Sequence, residues 1–240
     1  LKLRERQLLN GAMLGIVGVL GVFLTAVFAA NHKLIFPAAA LVAWSVLAYL
    51  CVDFGFWHKL LQLSAEDNAA YRAATEAALA ASLLIFVFTF LRLRSWGGFI
   101  RSLFTIWIIA QLALVPIAIL DPKLAATFAR LSFGAIGGVG LLLIAWLSIR
   151  GQDRALALMS GWLLFLVWVF GVAMALTGRL HGELVVTGLV AGLVLVTVLL
   201  GFIVMQFAFA ASDDMAGDDG EDLSTRGLAV DGAGAAVWEW

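Results

Sequence analysis

The sequence predicts an all-α integral membrane protein, a bundle of seven transmembrane helices with a short cytoplasmic tail. The 240-residue chain is 63% hydrophobic and 13% charged, whereas soluble domains are roughly 45–50% apolar and about 25% charged. Seven apolar runs approach or exceed the roughly 20 residues that a helix needs to cross a hydrocarbon core about 30 Å thick. Backbone N–H and C=O groups in lipid must be paired within the segment, so each run is predicted to be helical.

Short polar breaks such as SAEDNAAYR and DPK separate the runs, and no internal repeat is evident. The last run has 28 residues, about 42 Å of helix, and is long enough to leave the bilayer as a stalk. In chain order, the predicted transmembrane segments are 8–30, 37–57, 73–93, 99–120, 131–149, 155–177 and 184–211.

The segments that flank the helices differ in charge. Residues 1–7 form a basic juxtamembrane segment, and because the first residue is not methionine we expect that something upstream has been removed. The first apolar run exceeds the roughly 7–15 residues of a signal-peptide core, so we expect it to be retained. Residues 212–222, SDDMAGDDGED, crowd six acidic residues around two glycines and are predicted to be a solvated linker.

Glycines recur at spacings of three and four residues in three predicted helices. A missing side chain on one helix face lets two backbones approach closely, so we predict a helix-packing role. The stretch GAIGGVG lies inside an apolar run with no strand before it, which excludes a nucleotide-binding loop. The glycines are Gly11, Gly15, Gly18 and Gly21 in the first helix, Gly134 and Gly138 in the fifth, and Gly188 and Gly192 in the seventh.

Ionisable residues at membrane depth are costly and are candidates for function. Asp53 lies near the end of the second predicted helix and Glu76 near the start of the third, so the two carboxylates should lie at similar depth. Gln111 in the fourth helix, which Pro116 is expected to kink, could join them from a deeper position. Two interpretations stay open: a polar ligand pocket, and carboxylates that reach water or link helices, of which the second is favoured.

No pattern typical of catalysis or metal binding is evident. His32, His58 and His181 lie at helix ends, and no two share a helix at ligand spacing, so no metal or haem site is predicted. The single cysteine, Cys51, excludes an internal disulfide. The loops are too short to build a catalytic site. We predict no enzymatic activity and no cofactor for this fragment, and the net charge of −1 does not favour a nucleic-acid partner.

Basic residues predict the orientation weakly. With seven crossings, eight lysines and arginines lie on the amino-terminal side and seven on the other, nearly a tie under the positive-inside rule. If a large exported domain precedes the chain, Lys2, Arg4 and Arg6 count for less. The remaining five against seven place the amino terminus outside and the carboxyl terminus in the cytoplasm.

The closing segment resembles the opening of a PAS domain. RGLAV (226–230) matches its first short helix, DGAG (231–234) a small-residue turn, and VWEW (237–240) its first strand. A strand without a sheet is not stable alone. The resemblance therefore implies that residues 223–240 begin a PAS domain that continues beyond Trp240.

The stretches upstream suggest a family: RERQLLNGAMLG (4–15), LAYLCVDFGFW (47–57), YRAATEAALAASLLIFVFTFLRL (71–93) and GQDRALALMSGWLLF (151–165). Together with seven helices, they resemble the bacterial seven-transmembrane receptors with diverse intracellular signalling modules. The resemblance implies a sensor domain at 8–211 in the bacterial inner membrane. It also implies homodimers, an exported ligand-binding domain upstream, and a histidine kinase or cyclic-di-GMP module downstream.

The predicted function is that of a transmembrane receptor domain that relays an extracytoplasmic stimulus to the PAS-linked output through a two-state helix arrangement. Its predicted partners are membrane lipids, a second copy and its own flanking domains. The alternative is a small-molecule transporter or channel, and a third possibility is a purely structural membrane subunit. Transporters usually show repeated halves and helices interrupted near the midplane, neither of which is clear in this sequence.

Overall fold

The computed structural model describes residues 2–56, 62, 64–93, 97–179, 182, 185–207 and 209. Within these residues, seven helices are long and apolar enough to cross a membrane, which confirms the predicted seven-helix fold. The chain divides into two compact units, Leu1–Gly201 and Phe202–Trp240. The helices are α1 (Lys2–Asn31), α2 (Ile35–Asp53), α3 (Ala65–Phe90), α4 (Gly98–Leu120), α5 (Pro122–Ile149), α6 (Asp153–Leu176) and α7 (Val185–Phe207).

Several predictions fall on residues outside the described part of the chain. These are the acidic linker at 212–222, the PAS-like segment at 223–240, and two of the three histidines, His58 and His181.

Helix α3 begins eight residues before its predicted start, because its first two turns are polar. Ser64 forms a capping box with Asp67: the Asp67 backbone N–H donates to Ser64 Oγ at 3.1 Å, and the Ser64 N–H donates to Asp67 Oδ2 at 3.3 Å. This reciprocal pair satisfies donors that a helix start leaves unpaired. The segment predicted to be a break is therefore largely helical, and it brings Arg72 into the helix.

Helix α5 also begins earlier than predicted, by nine residues. Asp121 is its N-cap and accepts a hydrogen bond from the Leu124 N–H at 3.0 Å, and Pro122 occupies the first turn, where its fixed φ fits a helix start. Only Asp121 separates α4 from α5. Arg130 consequently lies about two turns inside α5 rather than in a connecting segment.

Helix α3 is the central column of the bundle. It packs against α2, α4 and α5. Of the 18 residues in its most apolar stretch, 67% are buried inside the protein, which is the largest share among the described spans. Its inward faces carry small residues such as Ala77, Ala80 and Ala81, all fully buried. Small side chains allow the neighbouring helices to approach closely.

Two tryptophans of α6 pack against glycines of α5 and α7 and so join the three helices. The Trp162 indole N–H donates to the Gly137 carbonyl at 3.0 Å, and a Cβ added at Gly140 would lie 2.2 Å from Trp162 Cζ2. The Trp168 N–H donates to the Leu189 carbonyl of α7 at 2.8 Å. Because a polar N–H in hydrocarbon needs an acceptor, these bonds fix the position of both indoles.

The predicted glycines divide into two groups. A Cβ added at Gly21 would lie 3.2 Å from the Trp44 side chain, and one added at Gly192 would lie 3.2 Å from the Trp168 side chain. A Cβ added at Gly18 would lie 4.0 Å from Leu47. For the other predicted positions, nothing lies within 4 Å of such a Cβ in the described part of the chain; they are Gly11, Gly15, Gly134, Gly138 and Gly188. A contact of these five with a second copy stays a prediction.

Replacing Gly140 with alanine should destabilise the bundle. The added methyl group would overlap the rigid, fully buried Trp162 indole, and such overpacking costs about 1–3 kcal/mol. Thermal unfolding in detergent, followed by near-ultraviolet circular dichroism, measures the loss.

The matched control is Gly138→Ala on the same helix, where a Cβ meets nothing within 4 Å. We expect no loss of stability in this control. Equal effects of the two substitutions would show that the Trp162 contact does not set the spacing between α5 and α6.

Candidate functional site

Charged side chains from α2, α3 and α5 meet at one end of the bundle. The cluster comprises Asp53 at the last residue of α2, Arg72 and Glu76 in the first three turns of α3, and Arg130 about two turns into α5. The Tyr49 side chain of α2 accepts a hydrogen bond from the Arg72 guanidinium. We call these five residues the arginine–carboxylate network.

Glu76 is the centre of the network. Only 5% of the residue is exposed, and its carboxylate is held from two sides. Arg130 donates from Nε to Oε2 at 2.9 Å and from Nη2 to Oε1 at 3.0 Å, while Arg72 Nε lies 3.6 Å from Oε1. A bidentate guanidinium–carboxylate pair is among the strongest charge-assisted contacts and fixes the relative orientation of both groups.

Arg72 connects the two carboxylates that were predicted to lie at similar depth. Its Nη2 lies 3.0 Å from Asp53 Oδ1, and its Nε faces Glu76 on the same helix, one turn away. The structure thus brings Asp53 and Glu76 together through a shared arginine. Arg72 and Arg130 were not selected from the sequence, because both precede the apolar runs of their helices.

In the network, the negatively charged side chains are largely buried, and the positively charged side chains are partly exposed. The carboxylate side chains lie inside, with 7% of Glu76 and 17% of Asp53 exposed, whereas 46% of Arg72 and 39% of Arg130 are exposed. Two carboxylates and two guanidinium groups balance in formal charge, as a cluster at the edge of a bilayer requires. The ion pairs link α2, α3 and α5, and both carboxylates have arginine partners.

Gln111, the third predicted residue, makes a different contact. It is 4% exposed, and its Nε2 donates a short hydrogen bond to Ser132 Oγ on α5, two residues after Arg130. Its Oε1 is buried without a hydrogen-bond partner among the described residues. Gln111 therefore joins α4 to α5 beside the network, through Ser132 rather than through either carboxylate.

In the described ranges, no group of three or more histidine, cysteine, aspartate or glutamate residues is placed to hold a metal ion.

Seven apolar spans with an arginine–carboxylate network between helices define a multi-pass membrane protein. The family model described as 7TM diverse intracellular signalling matches residues 6–211. The chain belongs to this family and is a transmembrane signalling receptor, which confirms the resemblance seen in the sequence. Comparisons with curated proteins and with solved structures gave no match.

Arg130→Gln should destabilise the bundle by about 1–3 kcal/mol. The substitution removes both short contacts to Glu76 and leaves a buried carboxylate facing Arg72 at 3.6 Å. Losing one partner of a fully buried pair costs about 3–5 kcal/mol, and the partial exposure of Arg130 lowers that expectation. Unfolding in detergent at low salt measures the change. The control is Arg101→Gln at an exposed position in the first turn of α4, and an equal loss there would contradict the pairing.

Ser132→Ala should cost more stability than Gln111→Leu. The first change leaves the whole Gln111 amide unpaired in the core, at about 1–3 kcal/mol, whereas the second removes the amide together with its unpaired oxygen and should be nearly neutral. The Ser132 hydroxyl can then bond to a carbonyl of its own helix. Unfolding of both variants in detergent tests this order, and the reverse order would refute the pairing.

Proposed function

We propose that the chain is the membrane relay of a receptor in the bacterial inner membrane, with the amino terminus outside and the carboxyl terminus in the cytoplasm. In this orientation, the arginine–carboxylate network lies at the extracytoplasmic end of the bundle and receives the stimulus. An odd number of spans supports opposite locations for the two termini. If an exported domain precedes the chain and Lys2, Arg4 and Arg6 are discounted, the seven basic residues on the carboxyl-terminal side against five on the other support the direction.

The observation that carries this proposal is the sharing of arginines between helices. Arg72 contacts Asp53 of α2 and Glu76 of α3, while Arg130 of α5 holds Glu76 from the other side. An upstream domain that engaged either arginine would compete with a carboxylate for it, and its own contact with the arginine would offset the loss of the ion pair. The change of partners would shift the arrangement of three helices.

Helix α7 would deliver the change to the output. It packs against α6 through the Trp168–Leu189 hydrogen bond. In the sequence it is followed by the acidic linker at 212–222 and the PAS-like segment at 223–240. A histidine kinase or a cyclic-di-GMP module is the proposed output. The membrane fragment itself would have no enzymatic activity and would act as a homodimer. The five glycines at which an added Cβ meets nothing within 4 Å in the described part of the chain are the candidates for the dimer contact.

Glu76→Gln should change the basal output of the full-length protein. Neutralising this carboxylate removes the charge that both arginines share, and a shift of about 1 kcal/mol between two states changes their ratio about fivefold. Autophosphorylation or cyclic-di-GMP turnover in isolated membranes measures the output. The matched control is Glu66→Gln, the same substitution at an exposed position in the first turn of α3.

Unchanged output in Glu76→Gln, or equal changes in both variants, would refute the network as the receiving site. Solute flux through liposomes containing the protein that Glu76→Gln abolishes would favour the transporter alternative instead.

A further inference from the structure

Two side chains, one in the α5–α6 turn and one at the start of α6, donate hydrogen bonds to the end of α3 that lies opposite the network. Helix α3 ends at Phe90, with Leu91 as its C-cap and Arg92 in the left-handed region at φ 51°. The last carbonyls of a helix have no partners within it. Gln152 Nε2 donates to the Leu91 carbonyl at 3.4 Å, and Arg154 Nη1 donates to the Phe90 carbonyl at 3.5 Å. We call these two contacts the α3 cap.

The two hydrogen bonds of the α3 cap are suited to break and re-form. Both hydrogen bonds are longer than the usual 2.7–3.2 Å, so a small displacement breaks them. Nearby, Ser148 Oγ in the last turn of α5 and Gln152 Oε1 are buried without hydrogen-bond partners among the described residues.

Helix α3 is a stiff connection between the network and the cap. It is one uninterrupted helix from Ala65 to Phe90 with neither proline nor glycine. From Glu76 to Phe90 it spans fourteen residues, about 21 Å at helical rise. Without a proline or glycine to allow a kink, a shift of its network end is carried to its other end rather than absorbed by bending.

We propose that α3 carries the signal across the membrane and that Gln152 and Arg154 are positioning residues that respond to its far end. This inference rests on the proposed function, since it takes the network as the receiving site. The two residues flank Asp153, the first residue of α6, so a displaced α3 end moves the start of α6.

Helix α6 then passes the displacement to α7 by direct contact. The Trp168 indole donates to the Leu189 carbonyl at 2.8 Å. A Cβ added at Gly171 would lie 2.9 Å from Leu189 Cδ2, and one added at Gly192 would lie 3.2 Å from Trp168 Cδ1. Such close packing leaves little room for α6 to move without α7.

Labelling at Leu91, whose carbonyl accepts the Gln152 contact of the α3 cap, tests the proposal. Leu91 is fully buried, so a Leu91→Cys thiol should react faster with N-ethylmaleimide when the end of α3 moves away from its neighbours. The experiment uses the full-length protein in membranes, with Cys51 and any cysteine of the flanking domains replaced by alanine as background. We expect Glu76→Gln to raise the labelling rate about fivefold or more, and Gln152→Leu to raise it as well. The exposed control Glu66→Gln should leave the rate unchanged.

Amide hydrogen exchange covers the case in which Leu91→Cys fails to fold. In protein with the native leucine, Glu76→Gln should speed exchange at residues 150–154 relative to Glu66→Gln, because an opened cap exposes the turn.

The results separate this inference from the proposed function. If Glu76→Gln changes output while labelling and exchange at the cap stay unchanged, α3 is not the transmitting helix and the receptor proposal stands. If the cap opens while output stays unchanged, the mechanical link is correct and the network is not the receiving site. If neither changes, both proposals fall.

Discussion

The buried carboxylate of Glu76 is the constraint on which the arrangement of the helices depends. A charge at membrane depth is tolerated only with a partner, and Glu76 is held by Arg130 of α5 and Arg72 of its own helix. Arg72 in turn reaches Asp53, which ties α2 to the same point. Three helices are thereby positioned by one set of ion pairs, and any group that competes for either arginine acts on all three.

The remaining contacts are of a different kind. Where α5, α6 and α7 meet, Trp162 and Trp168 lie on glycines and donate to backbone carbonyls of the neighbouring helix. Such contacts depend on shape complementarity between an indole and a glycine. The ion pairs of the network lie at one end of α3, and the hydrogen bonds from Gln152 and Arg154 lie at the other. Under the proposed function, the contacts at the ends of α3 exchange partners while the tryptophan contacts hold α5, α6 and α7 together.

The sequence predicts the number and approximate position of the spans, because length and hydropathy are local properties. It misplaces the starts of α3 and α5, since an apolar run omits polar first turns; the Ser64–Asp67 spacing and the Asp121–Pro122 pair were the available signals. For the same reason Arg72 and Arg130 were missed while Asp53 and Glu76 were found. The spacing of the glycines also cannot show that Gly140 has no room for a side chain whereas Gly138 has, because the difference depends on the position of Trp162.

The orientation of the bundle decides whether the network can receive a signal from outside. Single cysteines in a Cys51→Ala background, labelled in spheroplasts with a membrane-impermeant maleimide, measure it directly. Lys123→Cys lies in the first turn of α5 at the network end, and Gly98→Cys lies at the start of α4 at the other end, both exposed. The account predicts that Lys123→Cys is labelled in intact spheroplasts and Gly98→Cys only after the membrane is opened. The opposite pattern would place the network in the cytoplasm and contradict the account.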